Sequence, residues 1–398
     1  MKVETIIIGL ALFASSCHQN INKSDSNTPP EAELTSYGAI IVDSLNIDNT
    51  FEIDIPVTGR YSINISTNGS DTSFLWVEDY IENVDNRKYN VSGNIYFNES
   101  GDGEIFGSPL AKGTHRMRLH FSNKYIHLDK LKFQLMYKHQ PTPDTLIQNM
   151  DGQKWDLVWS DEFEKDGGVD IDKWSFNVGN WGWGNNELQF YTDNKKQNAR
   201  VENGNLIIEA NKIKDSKYWN SARLTTQGKI SFLYGKIEFR AKVPYGRGTW
   251  SAGWLLGDEY RDEISWPYCG EIDVLECVGY EIDDSTGNGK NHGSCHTRAY
   301  YFKQNNHITG EIEMENMHDA FHTYTVEWYP NKIEAFVDGK HYYTYDKIAN
   351  RNEWPFYKPH NIIINLAIGG GWGGLKGLDS SFTSHQYILD YVRVYRRI

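Results

Sequence analysis

The chain has 398 residues, with 40 Lys and Arg against 53 Asp and Glu, a formal charge of −13. That length accommodates about two domains. The acidic balance argues against nucleic acid or an anionic membrane surface as the main partner, and favours a neutral ligand over a polyanionic one.

Residues 1–17 open with Met-Lys-Val-Glu and continue through an apolar run to Ser-Ser-Cys17. A run this short reads as a secretory h-region and cannot cross a bilayer as a mature helix. The small residues leading into Cys17 resemble a bacterial lipobox. That resemblance implies a lipidated Cys17 and a place in the bacterial cell envelope; cleavage without lipidation would instead release the chain. No later stretch is apolar enough to span a membrane. Residues 18–33 are polar, with Asn, Ser, Asp and a Pro pair, and read as a flexible tether.

From 34 to 140 short alternating segments, such as Phe51-Glu-Ile-Asp-Ile-Pro56, Tyr61-Ser-Ile-Asn-Ile65 and Met117-Arg-Leu-His-Phe121, are separated by turn signals. They predict a small β-sandwich. Residues 141–148, within Gln140-Pro-Thr-Pro-Asp-Thr145 and just beyond, read as a linker because alternating Pro favours extended backbone. Residues 149–398 form a second unit holding 12 of the 13 tryptophans. Aromatic faces of that number suit either a large β core or platforms for flat, C–H-rich ligands.

Within that unit the segment Trp266-Pro-Tyr-Cys-Gly-Glu-Ile-Asp-Val-Leu-Glu-Cys-Val-Gly279 carries three acids in six residues. Acidic and apolar positions alternate as on a strand with one wet face. Period-2 geometry puts Glu271 and Asp273 on one face. Glu276, three further on, would point away unless one extra residue forms a β-bulge, a device common beside active sites. Three carboxylates on one face repel, so at least one keeps its proton at neutral pH. With one bulge, Glu271 and Glu276 lie roughly 13 Å apart at Cα, at about 3.3 Å per residue. Two Glu arms leaning together can close that to the roughly 5–5.5 Å of retaining glycoside hydrolysis, where one carboxylate attacks and another donates a proton. The plainer alternative is an exposed acidic strand.

The flanking sequence resembles glycoside hydrolase family 16, in the bulged form of its signature. Trp159-Ser-Asp-Glu-Phe163, Trp183-Gly-Asn-Asn-Glu-Leu-Gln-Phe-Tyr-Thr192 and Ser221-Ala-Arg-Leu-Thr-Thr-Gln-Gly228 are similar to its laminarinase-like branch. So are Tyr234-Gly-Lys-Ile-Glu-Phe-Arg240, Asn365-Leu-Ala-Ile-Gly-Gly-Gly-Trp372 and Asp390-Tyr-Val-Arg-Val-Tyr395, in the family's order from about residue 150 onward. The resemblance implies an all-β fold: a concanavalin-like β-jelly-roll sandwich, preceded here by the smaller β-sandwich module. It implies Glu271 as nucleophile, Glu276 as general acid/base, Asp273 as assisting carboxylate, and His296 near the acid/base. Trp250, Trp254, Trp266 and Trp372 match aromatic platforms; Asn186, Glu187 and Arg223 match polar cleft residues. The Gly369–Gly374 loop and the Glu281–His292 insertion are expected to border the cleft.

The family also implies a structural Ca2+ held by Glu162, a carbonyl near Gly204, and Asp390, whose oxygens suit a hard cation. No catalytic cofactor is expected. Cys269, Cys277 and Cys295 leave an odd number of thiols in an exported chain, so at least one is free; their spacing fits no zinc pattern. The module over 34–140 resembles carbohydrate-binding modules of families 6 or 35, with Trp76 and Tyr80 as its candidate aromatics; binding and spacing roles are both open. The resulting expectation is a monomeric, surface-anchored or secreted retaining endo-glucanase. Its partner would be a β-1,3-glucan or mixed-linkage β-1,3/1,4-glucan. A galactan hydrolase, a transglycosylase or a non-catalytic glycan binder are the alternatives.

Overall fold

The computed structural model describes residues 39–42, 45, 48–68, 73–79, 89–123, 126–139, 141–258, 266–348 and 350–398. Cys17, the signal-type segment, the tether and Tyr80 lie outside these residues. Among the described residues no helix is long and apolar enough to cross a membrane, and regular structure is strand apart from two short 3-10 turns. The chain divides into two compact units between His139 and Gln140.

The first unit is a sandwich of a four-stranded and a five-stranded sheet. The predicted alternating segments fall on strands Thr50–Ile55, Gly59–Thr67 and Gly113–Phe121. Phe51 and Phe133, one from each sheet, bring their rings to 6.4 Å across a core with Leu75, Val77 and Met117. Trp76 stacks on His120 with centroids 3.8 Å apart, so one face of this candidate platform is covered. Beneath it Glu78 and Asp79 are buried and pair with His120 and His115.

The second unit packs a nine-stranded sheet on a ten-stranded one. The two share one apolar core, with Leu255, Ile272, Ile362 and Leu366 from the first and Ile237, Phe239, Leu389 and Val392 from the second. This is the β-jelly-roll sandwich expected from the sequence. Gly235–Lys242 alternates buried and half-buried at every position, as a strand with one core face must. His360–Ile368 is buried throughout, which explains its unbroken Ile-Ile-Ile-Asn-Leu-Ala-Ile run in the middle of a sheet.

Part of the expected linker is regular structure. Asp144–Ile147 pairs in parallel with Ile230–Leu233 and is an edge strand of the nine-stranded sheet. An edge position tolerates the preceding Pro143, because no ladder partner needs its missing N–H.

Four neighbouring strands of that sheet build the site. In order they are His360–Ile368, Thr249–Gly257, Glu271–Val278 and Gly289–His296.

Candidate active site

The acidic strand begins at a glycine for a geometric reason. Gly270 has φ +84, and a Cβ there would lie 2.8 Å from Pro355 and 3.0 Å from His360. Glycine alone enters the strand at this angle without strain.

Along Thr249–Gly257 the register runs Leu256 to Glu271, Leu255 to Ile272 and Trp254 to Asp273. It then resumes with Gly253 to Leu275 and Ala252 to Glu276, leaving Val274 as an extra residue. This is the bulge the acid spacing demanded. Val274 and Leu275, adjacent in sequence, both lie in the core cluster. The face therefore slips by one, and Glu271, Asp273 and Glu276 all line the same cleft.

Glu271 and Glu276 each accept a hydrogen bond from an indole. Trp266 Nε1 donates to Glu271 Oε2 at 3.0 Å, and Trp250 Nε1 donates to Glu276 Oε1 at 3.1 Å. His296 pairs across the ladder with Glu271. Its Nε2 is 3.3 Å from Asp273 Oδ2 and 3.7 Å from Glu271 Oε1. The histidine thus stands at the Glu271–Asp273 end of the row rather than beside Glu276, the expected acid/base, because its register partner is Glu271. Glu271, Asp273 and His296 each bring one donor atom within 4.8 Å of the others.

Burial raises all three carboxyls. It lifts Glu271 to about 8, with the Asp273 charge adding, while His296, the Trp266 N–H and Arg223 pull back down. Burial likewise raises Asp273 to about 8. Glu276 is pushed well above the carboxylate range, by burial first and then by Asp273 and Glu271. The surroundings set the two glutamates apart: Glu271 has cationic and N–H support for a negative charge, and Glu276 holds its proton hardest. Burial pushes His296 below its ordinary value, against the opposing pull of the Glu271 charge.

Arg223 also lines the cleft. Its guanidinium lies 4.6 Å from the Trp183 ring and 4.8 Å from Trp254, and its Nε donates to Asn177 Oδ1 at 3.1 Å. Trp254 Nε1 donates to Asn365 Oδ1 at 2.7 Å, and Asn365 Nδ2 to the Tyr191 hydroxyl at 3.1 Å. Glu187 accepts from Gln189 at 2.6 Å and Asn185 at 3.2 Å, and burial raises its carboxyl to about 7.

Eight of the expected residues line the cleft: the three acids, Glu187, Arg223, Trp250, Trp254 and Trp266. Trp372 flanks it, edge-on to Trp250 with centroids at 5.5 Å. Asn186 does not line it. It is exposed with φ +60 in a turn closed by Glu187 N–H on Gly182 O, a conformation Asn tolerates well, and Asn185 takes its place. Trp181, Trp183, Asn365, Phe302 and Lys303 also line the cleft. Trp183 and Asn365 stood in motifs already singled out; Phe302 and Lys303 carried no signal, since only tertiary folding brings their turn over Trp266.

The expected calcium donors fare differently. Asp161 pairs with Val392 and Leu206 with Leu389, so Glu162, the Gly204 turn and Asp390 flank one stretch of strand. Yet both Glu162 oxygens accept from Arg393, at 2.9 and 2.8 Å, and Asp390 is paired with Arg240. A cation there would displace two guanidinium groups, so the donor set as folded does not fit it. Cys277 and Cys295 are buried free thiols, and Cys269 is buried as well.

A β-jelly-roll whose cleft holds an ordered row of two glutamates and an aspartate, floored by tryptophans, defines a glycoside hydrolase. The family profile described as glycosyl hydrolases family 16 matches residues 186–392, and the chain belongs to that family. The Rhodothermus marinus protein named beta-glucanase is 44% identical over 250 residues, covering 61% of this chain and 85% of that one. A Cryptopygus antarcticus glucan endo-1,3-beta-glucosidase is 36% identical over 259 residues, covering 60% and 91%. Among solved structures, the laminarinase from Rhodothermus marinus superposes with a TM-score of 0.57 at 43% identity, covering 62% of this chain and 98% of that one.

Proposed function

We propose that this protein hydrolyses internal bonds of a β-1,3-glucan, laminarin-like glucan first and mixed-linkage β-1,3/1,4-glucan second, with retention of anomeric configuration. The observation that carries this is the bulge at Val274, which puts both glutamates on the cleft face with protonation set apart by their surroundings. Relatives named for β-glucan hydrolysis support the substrate class.

In the first step Glu271 attacks the anomeric carbon while Glu276 gives its proton to the leaving glycosidic oxygen. The covalent ester on Glu271 and the free sugar hydroxyl result. Glu276, now ionised, takes a proton from water, which attacks the same carbon and releases Glu271. Asp273 lies between them. When Asp273 is ionised, its charge opposes ionisation of both neighbours, and so helps return the proton to Glu276. His296 stands at the Glu271–Asp273 end of the row.

The remaining expectations belong to the same proposal: export with a lipid on Cys17 or release by cleavage, and a monomer whose first unit binds or spaces glycan. The test is reducing-end release from laminarin, mixed-linkage glucan, agarose and carrageenan, with Glu271→Ser alongside. Glucan activity lost in the variant supports the reading. Activity on a galactan alone would keep the mechanism and overturn the substrate. Binding without turnover on all four would place the protein among glycan binders.

A further inference from the structure

The bulge leaves an unmet need on its other side. Pairing between Glu271–Val278 and Gly289–His296 covers only Glu271 with His296, Ile272 with Cys295 and Asp273 with Ser294. It stops where the bulge begins, although residues Gly289–Cys295 stay paired with Ile308–Met314 on their far side. The main-chain groups of Val274 and Glu276 that face this gap have lost their ladder partners, and buried main-chain groups require replacements.

One side chain supplies them. Continuing the register of the three pairs would set Asn291 opposite Glu276. Its amide spans the gap instead: Oδ1 accepts the Glu276 N–H at 3.0 Å, and Nδ2 donates to Val274 O at 3.1 Å. The two contacts also fix the amide's orientation, since only Oδ1 can accept from an N–H. Nδ2 donates again to the Tyr342 hydroxyl at 3.0 Å, and Cys277 Sγ donates to Oδ1 at 3.3 Å. Asn291 is fully buried. Tyr342 reaches the gap from the other sheet over Gly293, where a Cβ would lie 2.5 Å from its hydroxyl oxygen.

We propose that Asn291 is a positioning residue for Glu276, its side-chain amide clamping the bulge that turns the acid/base toward the cleft, with Tyr342 and Gly293 holding that amide in place. The inference rests on the reading of Glu276 as acid/base. Asn291 touches no substrate atom; it acts through the two main-chain groups on either side of Leu275. Losing it frees the strand to regularise, which would swing Glu276 toward the core.

The experiment compares Asn291→Leu, Tyr342→Phe, Glu276→Ala and the parent on laminarin and on a dinitrophenyl β-laminaribioside, with and without azide. A dinitrophenolate leaves without a proton, so only steps that need Glu276 should suffer. For Asn291→Leu, kcat on laminarin should fall on the order of 10²-fold, the scale of a lost general acid, with KM little changed. On the aryl glycoside the ester on Glu271 should still form. Azide should then raise turnover by attacking the anomeric carbon and breaking that ester, giving a β-glycosyl azide. Tyr342→Phe should show the same split, smaller.

A uniform loss on both substrates, unmoved by azide, would overturn the proposal, as would parental behaviour. Azide rescue of Glu276→Ala but not of Asn291→Leu would sink the clamp and leave the function standing. Failure of azide with both would sink the assignment of Glu276 itself. Should Asn291→Leu not fold, Tyr342→Phe decides, and a parental substrate ratio there counts against the clamp.

Discussion

Replacing Glu271 by Gln should abolish turnover and stabilise the catalytic unit, by an amount that grows with pH. The native carboxyl sits at about 8, raised from 4.5 chiefly by burial. A carboxyl whose folded value is raised contributes stability that is fully present below its unfolded value. That stability is lost progressively as pH rises toward the folded value, here between about pH 4.5 and 8. At roughly 1.4 kcal/mol per unit, the penalty accumulated by pH 7 has a ceiling of about 3 kcal/mol. The side chain is 14% exposed in a wet cleft, so we halve it. Gln keeps the shape and can still accept the Trp266 N–H, but it has no proton to lose. At roughly 2–4 °C per kcal/mol for a unit of this size, the variant should melt about 3–6 °C above the parent at pH 7 and within 1 °C at pH 4.5. Calorimetry across that range reads the difference directly. A gap that stays flat with pH, or a variant less stable at pH 7, would refute the claim that Glu271 is held against its preferred ionisation.

Three further outcomes are expected. Trp266→Phe removes the N–H on Glu271, a hydrogen bond to a charged acceptor worth roughly 1.5 kcal/mol, so the rising limb of the kcat/KM profile should move about one pH unit alkaline; an unmoved limb would show that the indole does not support the charge. Gly270→Ala forces a side chain into a left-handed position against Pro355 and His360, and should cost about 2 kcal/mol or more in urea titrations, where an unchanged midpoint would contradict the geometry. Chelation by EDTA should leave the melting temperature within about 1 °C, because Arg393 and Arg240 already neutralise Glu162 and Asp390; a drop of several degrees on chelation, restored by calcium, would reinstate the cation.

Much of the site was legible because its chemistry is written locally. The spacing of Glu271, Asp273 and Glu276 forces a choice between a bulge and a useless third acid, and the register shows the bulge. Where the structure departs from those expectations, the difference lies in tertiary partners. Asn186 and Asn185 are adjacent and chemically identical, and only the turn at Gly182 decides which one faces the cleft. The linker reading took Pro141 and Pro143 at face value, while Ile230–Leu233 offered the next residues an edge to pair with. The calcium reading saw two acids and not the arginines that arrive from residues 240 and 393. Asn291 gave no sign at all, since its role exists only where a ladder is interrupted.

The indoles on the two glutamates make the cleft its own spectrometer. Indole emission responds to the charge at the far end of its N–H, and Trp266 and Trp250 each end on a different reacting carboxyl. In the proposed mechanism, esterification of Glu271 replaces a negative oxygen by a neutral one beside Trp266, whereas loss of the Glu276 proton creates a negative oxygen beside Trp250. The glycosylation step therefore perturbs two separate chromophores in opposite senses, and deglycosylation reverses both. With each indole replaced in turn, stopped-flow fluorescence can time the arrival of the sugar on one side of the cleft and the departure of the proton on the other, with no label added.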